Sequence, residues 1–332
     1  MNINKHVFLL GAGFSRNFGG FLGVDIKNRL FNRPILNGHK EIKSLFWAKG
    51  YEKLTYEDIY SAVMNKPQYS KTAKDALQTA LMEVMEDQEG EFNKYGPTRA
   101  FAMEQLIELL CKINKQTYIF TLNHDLHFEK QWRVKYDIHI PGIFVDSSPN
   151  CVDIRRYQNK ILPTVILPDQ EILNKRGLGM PPDGGLYYIK LHGSMNFISP
   201  SDSDHKKIVM GHNKEEQLKS EPLLSAYHKL FDDVLYDGDI KLFVCGYSFG
   251  DKHINSKLLK ARKDHNMHVY LLNPSSKNDI RDDALARAGL NMDEMIDHHF
   301  PYKIIDDLFP DGMQSNTGNW QEVKSIYRPD LV

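Results

Sequence analysis

Five times along this chain a short apolar run stops at a polar or glycine-bearing tip: HVFLLGAG at 6–13, TYIFTLNHD at 117–125, GLYYIKLHGSMNF from 185, IKLFVCGYSFG from 240 and HVYLLNP from 268. Runs of this length, rich in Val, Ile, Phe and Tyr, read as strands buried on both faces. With helical stretches between them, they predict parallel strands joined by right-handed crossovers. The expected fold class is therefore α/β, a Rossmann-like doubly wound parallel sheet carrying a helical insertion and a small irregular subdomain.

The whole chain, 1–332, is expected to form a single domain. A helical insertion is expected over 54–113: Thr55 stands before Glu57 and Asp58 as an N-cap with an acidic first turn, and Ala102, Leu106, Leu109, Leu110 and Ile113 line one stripe. Residues 140–185 are rich in Pro, Asp and Asn ("PGIFVDSSPN", "ILPDQ", "MPPDGG"), the texture of an irregular insertion. The second part of the core is expected over 186–310, with Ser220 capping a helix that has Pro222 in its first turn. Asp251 is expected to cap another helix, whose buried positions would be Ile254, Leu258 and Leu259.

Composition excludes several classes of function. Lys and Arg number 42 against 43 Asp and Glu, for a net charge of -1. That balance argues against broad electrostatic capture of nucleic acid or an anionic membrane surface, so no direct sequence-specific nucleic-acid binding is expected. The three cysteines, Cys111, Cys151 and Cys245, form no C-x-x-C pair. Neither a disulfide framework nor a four-thiolate zinc site is indicated, and a reducing cytoplasmic setting fits. No apolar run reaches the roughly 18 residues that a bilayer span requires.

In a doubly wound sheet the ligand lies beyond the carboxyl ends of the strands, where the polar tips would gather. Gly11-Ala12-Gly13-Phe14-Ser15 could let a backbone approach a pyrophosphate. Arg16 stands where the usual dinucleotide fingerprint wants a third glycine, and a plain tight turn is the other reading; it would leave Ser15 without a task. Asn123, Asp125 and His192 would orient a neutral polar molecule and offer it one base that titrates near neutral pH. Taken singly, the first two read as helix caps and the third as the opening of a turn. Gly246 to Asp251 has the form of a second phosphate- or ribose-binding turn, with Gly246 and Ser248 facing the ligand, and Asn273 could reach a ribose hydroxyl. His253 is expected on a helix surface. No histidine belongs to an H-E-x-x-H, and His124 with His127 lacks a local third ligand, so no metal is expected.

Four separated motifs, in this order, resemble those of the sirtuin-like domains, in the branch found in bacterial anti-phage defence. Gly11-Ala12-Gly13-x-Ser15 is similar to the family's first NAD loop, Thr121-x-Asn123-x-Asp125 to its T-x-N-x-D motif, and Leu191-His192-Gly193-Ser194 to its histidine motif. Gly246-Tyr247-Ser248-Phe249-Gly250-Asp251 and Asn273 are similar to its later ribose- and phosphate-binding turns. Two departures stand out. The zinc ribbon with paired C-x-x-C of the protein-deacylating members is absent, and "RNFGGFLGVDIKN" replaces their G-I-P-D-F-R loop.

The resemblance implies NAD as substrate and water as acceptor, hence an NAD+ glycohydrolase that releases nicotinamide and ADP-ribose without a metal. It implies that Asn123 holds the ribose and places the water, that Asp125 positions nicotinamide or the ribose hydroxyls, and that His192 is the general base. Gly11, Ala12, Gly13, Phe14, Ser15, Thr121, Gly193, Ser194, Gly246, Tyr247, Ser248, Phe249, Asp251 and Asn273 would bind the dinucleotide. It further implies an NAD-depleting effector of abortive infection. Such an effector would be a homo-oligomer, with 54–113 either the contact surface or a plain lid over the core, held in check by a partner such as a translocase-type ATPase or another defence sensor. A sirtuin-type deacylase and a non-catalytic NAD or ADP-ribose sensor are the competing readings.

Overall fold

The computed structural model describes residues 5–47, 54–99, 104, 107–108, 116–133, 136, 138–143, 164–181, 185–200, 202–275, 278–280, 282, 291–301, 321–322 and 325. Its described strands are β1 (Lys5–Leu10), β2 (Gln116–Thr121), β3 (Val165–Ile166), β4 (Gly185–Lys190), β5 (Gly193–Ser199), β6 (Asp202–Ile208), β7 (Lys241–Cys245), β8 (His268–Leu272) and β9 (His298–Phe300). Six of them form one sheet in the order β4-β2-β1-β7-β8-β9, with every pairing parallel. This is the Rossmann-like α/β architecture that the apolar runs predict.

The pairing is in step. Leu10 lies opposite Thr121 on one side and Cys245 on the other, and Thr121 lies opposite Lys190. The carboxyl ends of four strands are therefore level, and the residues that follow them are delivered to one edge of the sheet.

Alternate side chains of each strand point to opposite faces, and here both faces are buried. Val7, Leu9, Phe120, Ile189, Leu242, Val244 and Leu271 share one core with Tyr227 and Phe231 of helix Pro222–Leu235 and with Ile254 and Leu258 of helix Lys252–Asp264. Phe8, Leu10, Ile119, Tyr188 and Phe243 share a second core with Phe14, Phe18, Phe92, Phe128 and Trp132. A third cluster belongs to the helical segment: Ala73, Leu77, Ala80, Leu81 and Val84 of helix Lys71–Arg99 pack with Leu30, Ile42, Ile59 and Val63. Their 3.6-residue spacing presents one apolar stripe.

Several local expectations hold and others are corrected. Thr55 caps helix Tyr56–Met64: its Oγ1 accepts from the Asp58 amide at 3.2 Å, and the Asp58 carboxylate accepts from the Thr55 amide at 2.7 Å. The stretch from Gly185 to Phe197 is two strands, not one. β4 belongs to the main sheet, and the chain then turns at Leu191-His192 into β5 of a three-stranded sheet ordered β3-β5-β6. Gly193 permits the departure, since it has φ +78 and a Cβ there would lie 2.1 Å from the Lys207 carbonyl oxygen.

Ser220 does not cap helix Pro222–Leu235, because Glu221 holds the N-cap position and the Ser220 hydroxyl donates back to the Gln217 carbonyl at 2.8 Å. Leu259 is 42% exposed, a quarter turn off the buried stripe of Ile254 and Leu258. Cys245 is buried. Cys111, Cys151 and the whole stripe Ala102, Leu106, Leu109, Leu110 and Ile113 lie outside the described residues. Among those described, no helix is long and apolar enough to cross a membrane.

Candidate functional site

From β1 the sheet grows outward through β2 to β4, then resumes on the other side of β1 with β7. The winding reverses between β1 and β7, and in open α/β sheets ligands bind in the crevice beyond such a switch point. Two glycine loops meet there. The Gly11 amide donates to the Cys245 carbonyl at 3.0 Å, and the Gly13 amide donates to the Gly246 carbonyl at 2.8 Å. A Cβ on Gly11 would lie 2.6 Å from the Gly246 oxygen, and one on Gly246, whose φ is +67, would lie 2.1 Å from the Phe14 nitrogen. The glycines are thus required for loop-to-loop contact, and two of their N–H groups are committed to that contact. Phe14 and Phe249 are core side chains, which leaves Ala12, Ser248 and Gly250 as the exposed rim of the two loops.

The end of β2 ties into the first of these loops. The Asn123 side-chain amide donates to the Gly11 carbonyl and to Ser15 Oγ, both at 2.9 Å. Ser15 Oγ in turn donates to Asp125 Oδ2 at 2.7 Å. Thr121 Oγ1 accepts from the Asn123 amide at 3.1 Å. All four residues are buried. Asp125 also accepts from the His127 amide at 3.1 Å, so it caps the turn that follows while engaging Ser15.

Four charged residues without a sequence signal of their own support this loop. Lys190 is wholly buried on the same face of β4 as Leu186 and Tyr188; its Nζ donates to Glu129 Oε1 at 2.8 Å and to the Asp125 backbone carbonyl. Glu89, reaching in from helix Lys71–Arg99, accepts from the Leu126 amide at 2.9 Å and pairs with Lys130. Burial, and then the nearby Asp125 carboxylate, push the Glu89 pKa up.

His192 sits beside this network at the turn between β4 and β5. The Leu191 amide donates to the Thr121 carbonyl at 2.9 Å, and the Met195 amide donates to the His124 carbonyl at 3.0 Å, which pins the histidine turn to the T-x-N-x-D segment. The ring is 3% exposed. Burial pushes its pKa well below the usual histidine value, and Lys214, His253, His124 and His228 push in the same direction. The ring is therefore neutral at pH 7 and does not titrate near neutral pH as expected, because burial and the Lys214 ammonium oppose its protonated form.

Two further histidines close around it. Nε2 of His192 lies 3.1 Å from Nε2 of His253, and His228 places its Nε2 3.0 Å from the Leu191 carbonyl. His253 is half-buried, contrary to the surface position expected for it, because the first turn of its helix follows the β7 loop into the same crevice. A sequence clue existed for His253, two residues past Asp251 in a loop already singled out. His228 gave only a polar residue on an apolar helix face. Among the described residues, His192, His228 and His253 offer one nitrogen each within 4.8 Å of one another.

The remaining candidates are placed as follows. Asp251 holds the N-cap position of helix Lys252–Asp264, but its carboxylate makes no cap; it binds Lys214, which also pairs with Glu57 at 2.8 Å. Burial works against the Lys214 ammonium, yet Asp251 and Glu57 together raise its pKa. The buried Tyr247 hydroxyl donates to Asn255 Oδ1 at 2.9 Å and fixes the second loop. Ser194 Oγ donates to Asn196 at 2.8 Å within β5, and Asn273 Oδ1 accepts from the Ser275 amide at 2.9 Å in an Asx turn.

A family model described as a SIR2-like domain matches residues 117–293, more than half of the chain. The match takes in Thr121, Asn123, Asp125, His192 and the loop after β7, and begins after the Gly11 loop. Comparison with curated proteins returned no match.

Proposed function

The chain belongs to the SIR2-like domain family, whose members are NAD-dependent enzymes, and from that premise we propose that it hydrolyses NAD+ to nicotinamide and ADP-ribose. The observation that carries this reading is the joining of Ser15, Asn123 and Asp125 in one buried hydrogen-bonded chain, with the neutral ring of His192 pinned to the same segment.

In this mechanism the bond from ribose C1′ to the pyridine nitrogen breaks, and its electron pair leaves with nicotinamide. Water adds at C1′ and passes its proton to His192. Asn123 holds the ribose and orients the water, and Asp125, itself fixed by Ser15 and His127, positions nicotinamide or the ribose hydroxyls. Ala12, Ser248 and Asn273 supply contacts from the loop rim. The transition state resembles an oxocarbenium ion, so orientation and fixed dipoles provide most of the acceleration. Water is favoured as acceptor because the paired cysteines of a zinc ribbon are absent from the sequence. Unchecked, such an activity would drain NAD from its own cell. We therefore read the protein as a gated, NAD-depleting effector of anti-phage defence, acting in the cytoplasm as a homo-oligomer with a regulatory partner.

The test is product analysis after incubation with NAD+, with and without an acyl-lysine peptide. Nicotinamide and ADP-ribose should form without the peptide, and a requirement for peptide would refute hydrolysis. A positioned base contributes on the order of a hundredfold to ten-thousandfold. His192→Ala and Asn123→Ala should each lose that much turnover with an unchanged circular dichroism spectrum. Near wild-type turnover in either would refute the role given to that residue.

A further inference from the structure

We infer that His192, His228 and His253 form a binding site for a divalent transition-metal ion of the zinc class. The three side chains come from separate elements: the turn after β4, the middle of helix Pro222–Leu235 and the first turn of helix Lys252–Asp264. Their ring centroids lie 5.2, 5.6 and 6.4 Å apart, and one nitrogen from each ring falls within 4.8 Å of the others. A tetrahedral ion with Zn–N distances of about 2.0–2.1 Å holds its ligand nitrogens about 3.3 Å apart. His192 and His253 already stand at 3.1 Å, and the His228 nitrogen lies within 4.8 Å of both.

The surroundings match a metal centre in two further ways. A ligating histidine commonly donates its other N–H to a backbone carbonyl, which fixes its tautomer and aim. His228 has that partner: Nε2 lies 3.0 Å from the Leu191 carbonyl, leaving the Nδ1 lone pair for an ion. The cation that opposes charge at His192 is also paired, because the Lys214 ammonium is matched by two carboxylates, those of Asp251 and Glu57. Imidazole nitrogens select zinc, copper, nickel or iron over magnesium or calcium, and three of them leave a fourth position for water.

The ion would occupy the lone pair that His192 needs as a base. In a consequence that rests on the proposed hydrolase reading, a bound ion holds the enzyme off and its removal releases activity.

The binding test is independent of NAD. Full-length protein stripped with EDTA is dialysed against Zn2+ and its bound metal is measured; Co2+ is then substituted and its visible spectrum recorded. The expected result is one equivalent of zinc and the strong absorption of four-coordinate cobalt. His228→Phe and His253→Gln should each weaken binding at least about a hundredfold, in line with the loss of a ligand from a three-nitrogen site. His253 is half-buried, so His253→Gln carries the test if His228→Phe fails to fold; melting curves in EDTA check both. No stoichiometric binding by the wild type, or full binding by His253→Gln, would overturn the site. In a second arm, NAD+ cleavage is compared with Zn2+ and with EDTA. Equal rates would overturn the gating role and leave the site standing, whereas loss of the hydrolase reading would show as no cleavage in EDTA.

Discussion

His127 should make the protein sensitive to mild acid, by an amount that can be isolated. Its ring is 1% exposed and packed between Phe18 and Phe92, both 4.6 Å away by centroid, with Trp132 at 5.4 Å. Neither ring nitrogen has a hydrogen-bond partner among the described residues. Burial pushes its pKa down to about 4; the neighbouring Asp125 opposes that shift and Lys130 adds to it. The folded form therefore resists protonation while the unfolded chain takes a proton near pH 6.5. The stabilising contribution is whole above that value and is lost as pH falls towards 4. Between pH 8 and pH 5.5 the linkage integral comes to about 1.4 kcal/mol for this one group. His127→Phe keeps the aromatic contacts and cannot titrate, so it should lose about 1.4 kcal/mol less than wild type over that range. At pH 8 it should be neutral or stabilising by about 1–3 kcal/mol, since two buried polar atoms without partners are removed. Urea unfolding followed by circular dichroism at both pH values measures each difference. Parallel losses of stability in the two proteins would refute the argument.

Two other perturbations probe the frame of the site. Gly246→Ala would place a methyl 2.1 Å from the Phe14 nitrogen at a φ of +67; a loss of at least about 3 kcal/mol is expected, and a melting temperature within a degree of wild type would contradict the loop-to-loop packing. Lys190→Met leaves Glu129 buried without its ammonium partner and removes the donor to the Asp125 carbonyl. It should cost about 3–5 kcal/mol, whereas Lys190→Met with Glu129→Leu should recover most of that. If the double variant is no more stable than the single one, the pair is not the dominant interaction.

How much of this was legible beforehand follows from the range of each interaction. Strand type, parallel pairing and the Thr55 cap depend on neighbours within a few residues, and the apolar runs and the spacing of Thr55 and Asp58 announce them. The identity of the strand tips was likewise readable, so Ser15, Asn123, Asp125 and His192 could be named. Their partners could not: Ser15 and Asp125 are 110 residues apart, and Lys190 and Glu129, like His192 and His253, are 61 apart. Gly11 and Gly13 show the same limit, since the sequence marks a close approach of backbone but leaves open whether a phosphate or the β7 loop makes it. Local periodicity determined which elements form and which ends carry polar groups. Only the packed sheet, by setting strand order and register, decided which of those groups meet, because hydrogen bonds and ion pairs act over a few ångströms of space and take no account of distance along the chain.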